Sequence, residues 1–498
     1  MAYVLGVDLG TTGLKAALVD DSGAIAGVGY REYPLNVPQT GCAEQNPEQW
    51  HEAMCLAIRD VLAKTRASAQ DVRGVGFSGQ MHGLVPLDAQ KNVLCPAIIH
   101  CDGRARKQKA EIIEMVGMEK LGKWVQNQVH SGFQALTLLW LRENRPQVYG
   151  RIRFALLPKD YLRYRLTGEI GTEPTDAGGT LMYDGARGRW SDELLGALGV
   201  DKALLPNADH RPYEIAGAVT EKAARETGLT PGTPVAFGGG DAPMQAVGNG
   251  VIAPGDACVN IGTSGQVFSV MDKPVYDLAL RTHTFPHAPK DTWYVMGAVL
   301  NACLAYNWFG ENVCGERDFA KLDAEAARVK PGAGGLLFLP YLTGERTPYM
   351  NERARGAFLG LTLGHGRADM TRAVMEGVAF ALCDALDVVR SLNVPAGRMI
   401  VSGGGAKSAL WRQIVADVLE TPLGRSSMKE QAALGAALCA RVALGDFSDL
   451  REACKAVARH EPDITRPQAQ NAARYREARA LYREAYRQNA PLFERMLP

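Results

Sequence analysis

The 498-residue sequence predicts an α/β protein of two similar halves with a cleft between them. Three observations carry this reading. The chain is longer than one hydrophobic core usually serves. A pattern of apolar strand, Gly-Thr-[Thr/Ser]-Gly and second strand stands near the start, at Asp8 to Gly13, and returns at Asn260 to Gly265. It is a weak sequence repeat but a strong architectural one. Near the midpoint, Val235-Ala236-Phe237-Gly238-Gly239-Gly240-Asp241-Ala242-Pro243 reads as strand, glycine turn and helix start, since Pro243 is tolerated in a first helical turn. The expected domains are 1–245 and 246–498.

Taken in order, residues 3–8 form an apolar strand ending at Asp8. Leu9-Gly10-Thr11-Thr12-Gly13 is a tight turn, and Leu14 to Val19 and residues 24–33 continue as antiparallel strands. Gly10 and Gly13 let backbone approach a ligand, and consecutive N–H groups there can form an anion-binding nest. Asp8 is placed to hold Mg²⁺, which takes one or two carboxylates plus water and phosphate oxygens. The same residues also suit an ordinary hairpin. Glu44 to Trp50 open an amphipathic helix running to about Arg66. The buried strand Val72 to Phe77 leads into Ser78-Gly79-Gln80-Met81-His82-Gly83, a polar cluster at a strand end, where open sheets bind their ligands. Met81 offers an apolar wall and His82 a hydrogen-bond donor to a hydroxylated ligand. Strand Val93 to Ile99 ends in His100-Cys101-Asp102-Gly103-Arg104, where Asp102 and Arg104 either line the cleft or pair with each other. Residues 107–145 read as helical, and Thr172 to Thr180 as the rim of a sugar pocket.

Asp241 either caps its helix or presents a carboxylate to the cleft. After the second Gly-Thr turn, Gly356 to Leu361 precede a long helix over about 367–391, with Val374, Val378, Ala381, Ala385 and Val388 at buried-stripe spacing. Strand Met399 to Val401 feeds Ser402-Gly403-Gly404-Gly405-Ala406, a glycine turn bare enough for a base or ribose. Tyr475, Ala478, Tyr482 and Ala485 give the last segment a helical stripe that packs back on the body.

Composition narrows the function classes. Lys and Arg total 55 against 54 Asp and Glu, so a net charge of +1 supports neither nucleic-acid nor anionic-membrane binding. No apolar run reaches the roughly eighteen residues of a membrane span. The N-terminus lacks a basic n-region and meets an acid early, so it does not read as a signal peptide. Ten scattered cysteines without a Cys-x-x-Cys pair suit reduced core thiols in a cytoplasmic protein.

From Val7 to about Leu438 these stretches resemble the FGGY carbohydrate kinases, a branch of the actin/hexokinase/Hsp70 superfamily. Asp8-Leu9-Gly10-Thr11-Thr12 is similar to the family's first phosphate motif, Ile261-Gly262-Thr263-Ser264-Gly265 to the second, and Val401-Ser402-Gly403-Gly404-Gly405-Ala406 to the adenosine motif. Gly356 to Glu376 resembles a family signature, and Asp241 falls where the family carries its catalytic aspartate. Gly79-Gln80-Met81-His82-Gly83, Leu157 to Leu162 and Leu342 to Pro348 resemble the xylulokinase branch. Ala242-Pro243 stands where Asn-Ala often follows the aspartate, and His100 where many members have Trp. The resemblance implies two actin/hexokinase-like (ribonuclease H-like) domains and transfer of phosphate from ATP to D-xylulose. It implies Asp241 as general base, Gln80, Met81, His82, Asp102 and Asp241 at the sugar, Thr11, Thr12, Gly262, Thr263, Gly404 and Gly405 at ATP, and Asp8 at Mg²⁺. A homodimer is the family analogy. The competing expectations are a kinase for another keto-sugar, polyol or gluconate, and a nucleotide-switched actin/Hsp70-like binding protein.

Overall fold

The computed structural model describes residues 2–496; residues 1, 497 and 498 of the expected domains lie outside it. Two mixed sheets dominate. The first contains β1 (Tyr3–Leu9), β2 (Gly13–Asp20), β3 (Ile25–Glu32), β4 (Val72–Gly79), β5 (Ile215–Ala218), β6 (Pro234–Ala236) and β7 (Gly239–Gly240). Its order is β5-β6-β4-β1-β2-β3, with β7 also pairing β4. The second contains β8 (Asp256–Ile261), β9 (Gly265–Met271), β10 (His283–Pro286), β11 (Trp293–Val299), β12 (Arg398–Ser402) and β13 (Leu423–Arg425), in the order β10-β11-β9-β8-β12-β13. The centres correspond. β1 has an antiparallel hairpin partner, β2, on one side and the parallel strand β4 on the other. β8 lies in the same way between β9 and β12.

Helices cover the sheets. In α1 (Pro47–Thr65), Asn46 caps the first turn by accepting the Glu48 amide, and Pro47 occupies a position that needs no donor. It packs on β2 and β3. α2 (Asp241–Gly248) starts at the midpoint. α3 (Arg367–Ser391) matches the expected long helix and backs the second sheet with its buried stripe. α4 (Gln431–Ala443) is apolar over most of its surface and is buried from Ala433 to Arg441. It packs against α2, β1 and β4 of the first lobe. The contact is backbone to backbone: a Cβ at Gly6 would meet the Ala433 carbonyl at 1.9 Å, and one at Gly435 the Met244 carbonyl at 2.0 Å. α5 (Ala469–Phe493) packs back as expected, burying Tyr475 and Tyr482.

The expected division at 245/246 falls within α2, which runs on to Gly248, and α4 of the second segment lies on the first sheet. One expectation is corrected. Residues 107–145 are not one helical stretch but helices at Arg106–Val116, Met118–Val125 and Gln134–Asn144. The polar run Gln126-Asn127-Gln128 and Ser131-Gly132 interrupts the apolar periodicity there. No helix among the described residues is long and apolar enough to cross a membrane. All ten cysteines are free.

Candidate active site

Strand register assembles the centre. Asp8 pairs across with Ser78, which pairs with Gly239; Leu9 aligns with Gly79, which aligns with Gly240. Three parallel strands thus end together, and Asp241 follows directly as the first residue of α2. Its carboxylate is half-buried and accepts the adjacent Ala242 amide at 2.7 Å; Gly240 is the N-cap and no side chain caps the helix. The capping alternative therefore fails. Burial, and secondarily the Asp8 charge, push the Asp241 carboxyl up to about 7. Asp8 accepts Ser78 Oγ at 2.7 Å; burial raises its pKa, while Ser78 and the Lys15 charge oppose the rise.

Asp241 lines a cavity of about 240 Å³ between the lobes, with Met81 and His82 from the first and Ser264, Tyr294 and Arg346 from the second. Pockets of this size suit small polar ligands. His82 adopts φ 75° and stacks on Phe133 with ring centroids 4.4 Å apart. Its Nδ1 lies 2.7 Å from the Gly179 carbonyl, which can only accept, so Nδ1 carries the proton. Burial drives the imidazole down to about 3, so it is neutral. Nε2 is left as an acceptor, and the expected donor role of His82 is reversed.

Other expected site residues are placed differently. Gln80 is 1% exposed and does not line the cavity. Its Nε2 donates to Gln45 Oε1 at 2.9 Å, and Gln45 in turn donates to the Thr11 carbonyl at 2.7 Å. Gln80 thus braces the first turn. Asp102 is also buried away from the cavity: its oxygens accept Arg104 Nε at 2.9 Å and the Ala43 amide at 2.6 Å. Of its two alternatives, the ion pair prevails. The 172–180 stretch lies under the site rather than at its rim. Gly240 N donates to Thr175 Oγ1 at 3.1 Å, and Thr175 donates to Glu173 Oε1 at 2.9 Å. Glu173 belongs to a fully buried ionic cluster with Lys159, Asp160 and Asp176. This network holds the peptide that precedes Asp241.

Three glycine turns follow the central strands β1, β8 and β12. In the first, Gly10 N closes on the Gly13 carbonyl at 3.1 Å, Tyr33 Oη donates to the Gly10 carbonyl, and Thr12 is exposed. In the second, the Gly262 and Thr263 carbonyls accept the Cys303 and Ala302 amides at 2.8 and 3.1 Å, which leaves Thr263 outward. The third adjoins the second, since Asn260 pairs with Ser402. Gly403 has φ 88°, and Gly404 faces open space.

Sequence reading missed His130, Phe133, His283, Phe285 and Tyr294 in the cavity wall. The first two sit in the helix break just described. The others lie on β10 and β11 at alternating positions, a period-two signal that names a face but not what it faces. Asn127 joins the lobes here: its Nδ2 donates to the Thr284 carbonyl at 2.8 Å, and its Oδ1 accepts His283 Nδ1 at 3.1 Å. The residues fit a divalent cation. Two carboxylates stand here: the Asp8 charge lies close enough to raise the proton affinity of Asp241, and Asp8 Oδ2 has no described hydrogen-bond partner.

The family model for the N-terminal domain of FGGY carbohydrate kinases matches residues 3–248, and that for the C-terminal domain matches residues 257–444. A xylulose kinase of Escherichia coli (strain K12) is 36% identical over 489 residues, covering 98% of this chain and 99% of that protein. The crystal structure of a xyloylose kinase from Brucella ovis superposes with a TM-score of 0.92 at 35% identity, covering 98% and 100% of the two chains. That of a gluconate kinase from Lactobacillus acidophilus gives 0.93 at 28% identity, covering 99% of each. With both domains matched and the two-sheet architecture shared over full length, the chain belongs to the FGGY family of carbohydrate kinases and is a carbohydrate kinase with that family's two-domain fold.

Proposed function

We propose that this enzyme transfers the γ-phosphoryl group of ATP to the terminal hydroxyl of D-xylulose, giving D-xylulose 5-phosphate. The observation that carries the reading is a half-buried carboxylate, Asp241, with its proton affinity raised to about 7, in a cavity walled by Met81 and His82. The full-length likeness to named xylulose kinases supports the choice of acceptor.

Asp241 accepts the proton of the primary alcohol and directs its oxygen at phosphorus, a base matched to neutral pH. His82 Nε2 accepts a sugar hydroxyl proton, and Met81 supplies apolar contact. The turns at Thr11–Thr12 and Gly262–Thr263 take the ATP phosphates through N–H and hydroxyl donors, and Gly404–Gly405 the adenosine. Phosphoryl transfer has a loose transition state, so these groups act by positioning and charge compensation. Asp8 would hold Mg²⁺; bound there, the ion offsets negative charge on the phosphate oxygens. Approach of the lobes excludes water as a competing acceptor.

An ADP-release assay across D-xylulose, D-ribulose, xylitol, gluconate and glycerol tests the reading. The expected result is the highest kcat/KM for D-xylulose. Preference for gluconate, the acceptor named for the Lactobacillus acidophilus structure, would replace the substrate and leave the reaction class intact. ATP turnover indifferent to every sugar would favour a nucleotide-switched binding protein.

A further inference from the structure

The cavity contains a cation that the mechanism above leaves unused. Arg346 is half-buried in its wall. A guanidinium has five N–H donors and no acceptor. The described side-chain partner of this one is His130 Nε2, across the lobe boundary. His130 is no counter-charge, because burial and the Arg346 charge hold its proton affinity well below the usual histidine range. Glu345 is next in sequence and 2% exposed. Its Oε1 is taken by the Leu300 and Arg346 amides at 2.9 and 2.7 Å. Burial pushes its carboxyl up to about 8, against the opposing Arg346 charge. Glu352 pairs with Lys109 at 2.9 Å. Arg346 therefore faces the cavity with His130 as its described side-chain partner; burial draws its pKa down, and the Glu345 and Glu352 charges oppose that. Such a group calls for an acceptor from whatever enters the cavity.

The chemistry of the acceptor sugar says which atom that is. A 2-pentulose closes its ring by adding O5 to C2. In the ring O5 is an ether oxygen, with no proton to surrender and no lone hydroxyl to phosphorylate. Only the open chain, with a bare C2 carbonyl, can react at O5. A carbonyl accepts and cannot donate, the complement of a guanidinium.

We infer that Arg346 is a specificity-determining residue that binds the C2 carbonyl of the open-chain keto-sugar, selecting the reactive form over the furanose and over alditols. This rests on the reading that the acceptor is a 2-pentulose phosphorylated at O5. The alditol has a hydroxyl at C2, which offers a weaker acceptor and brings a proton of its own toward a cation.

The test combines NMR with kinetics on the full-length enzyme. With [2-¹³C]-D-xylulose and wild-type protein, the bound C2 resonance is expected in the ketone range, displaced downfield by a cationic donor, and lost in Arg346→Leu. In Arg346→Leu, kcat/KM for D-xylulose falls roughly 100-fold, the value of a hydrogen bond to a charged group, while inhibition by xylitol changes less than about threefold. Arg346→Lys restores part of the loss, because a point charge remains. If Arg346→Leu does not fold, as judged by its melting curve, Arg346→Gln and the wild-type spectrum decide. A hemiketal bound to the wild type, or a parallel loss for xylulose and xylitol, overturns the assignment. Open-chain binding by the wild type that is lost in Arg346→Leu, with no phosphorylation by either, upholds Arg346 and removes the proposed substrate. Protein that binds no D-xylulose at all overturns both.

Discussion

The hairpin turn after β1 and the one after β8 occupy the same place in their sheets. Each follows a central strand, closes with Gly-Thr and a hydroxyl residue, and lies beside a parallel strand that carries a serine at the paired position. Ser78 Oγ donates to Asp8 Oδ1 at 2.7 Å; Ser402 Oγ donates to Asn260 Oδ1 at 3.4 Å. The difference is one acid against one amide of nearly the same shape. The first lobe therefore sets a negative charge beside Asp241, where a cation belongs. The second offers a neutral turn, which an anionic phosphate can approach without repulsion. The parallel strands diverge in the same way: β4 runs out to Met81 and His82 at the cavity, and β12 to the bare glycines at Gly403–Gly405. One architecture used twice thus acquires two chemistries through a few side chains at strand ends.

Removing the carboxylate that only the first lobe possesses breaks the comparison most severely. Asp241→Ala is expected to fold, to bind ATP and to lose ~10²–10⁴ in kcat, as for a positioned general base; isothermal titration with ATP and steady-state rates check this. Asp8→Asn makes the first turn resemble the second. Its expected loss is roughly 10²-fold in kcat/KM, with the Mg²⁺ requirement shifted to higher concentration, read from a magnesium titration of the rate. The reciprocal change, Asn260→Asp, adds an acid to the phosphate side and is expected to raise the KM for ATP about tenfold, with a smaller effect on the sugar KM. Thr175→Val breaks the hydrogen bond to Gly240. A fall in kcat of about tenfold with little change in KM is expected, recovered in Thr175→Ser, which keeps the hydroxyl.

The finest test is by pH. The Asp241 carboxyl is raised to about 7, so it is protonated, and useless as a base, below that pH and ionised above it. The kcat/KM profile is expected to lose activity as pH falls through this region. Because the Asp8 charge contributes to the rise, Asp241 in metal-free Asp8→Asn should titrate at lower pH than in the metal-free wild type. ¹³C resonances of labelled aspartate carboxyls measure this, and an unchanged midpoint would mean that burial alone sets the value.

Much of this arrangement is legible along the chain, because some constraints are local. Glycine runs between an apolar strand and a helix start announce turns at which backbone meets ligand, and Asp241 and Asp8 stand at such turns whatever surrounds them. The stripe of α3 and the caps of α1 follow from spacing and from short-range hydrogen bonds. Where a role depends on competition between partners, local pattern was silent. Asp102 looked available for sugar until Arg104 and the Ala43 amide occupied it. Gln80 was expected at the sugar until Gln45 took its amide. His82 has both a donor and an acceptor nitrogen, and the Gly179 carbonyl, 97 residues away in the chain, decides which one remains.

From residue order alone came the α/β class, the duplicated hairpin and the carboxylate at the midpoint, since each is written in local patterns along the chain; the expected chemistry came from the family resemblance that those patterns carry together. Tertiary structure decided that α4 leaves its own half to cover the first sheet, that His130 and Phe133 enter the cavity from a broken helix, and that Arg346 reaches the same cavity wall beside His130. Those outcomes depend on which buried surfaces and polar groups satisfy one another across long separations, and that competition is settled only when the whole chain packs.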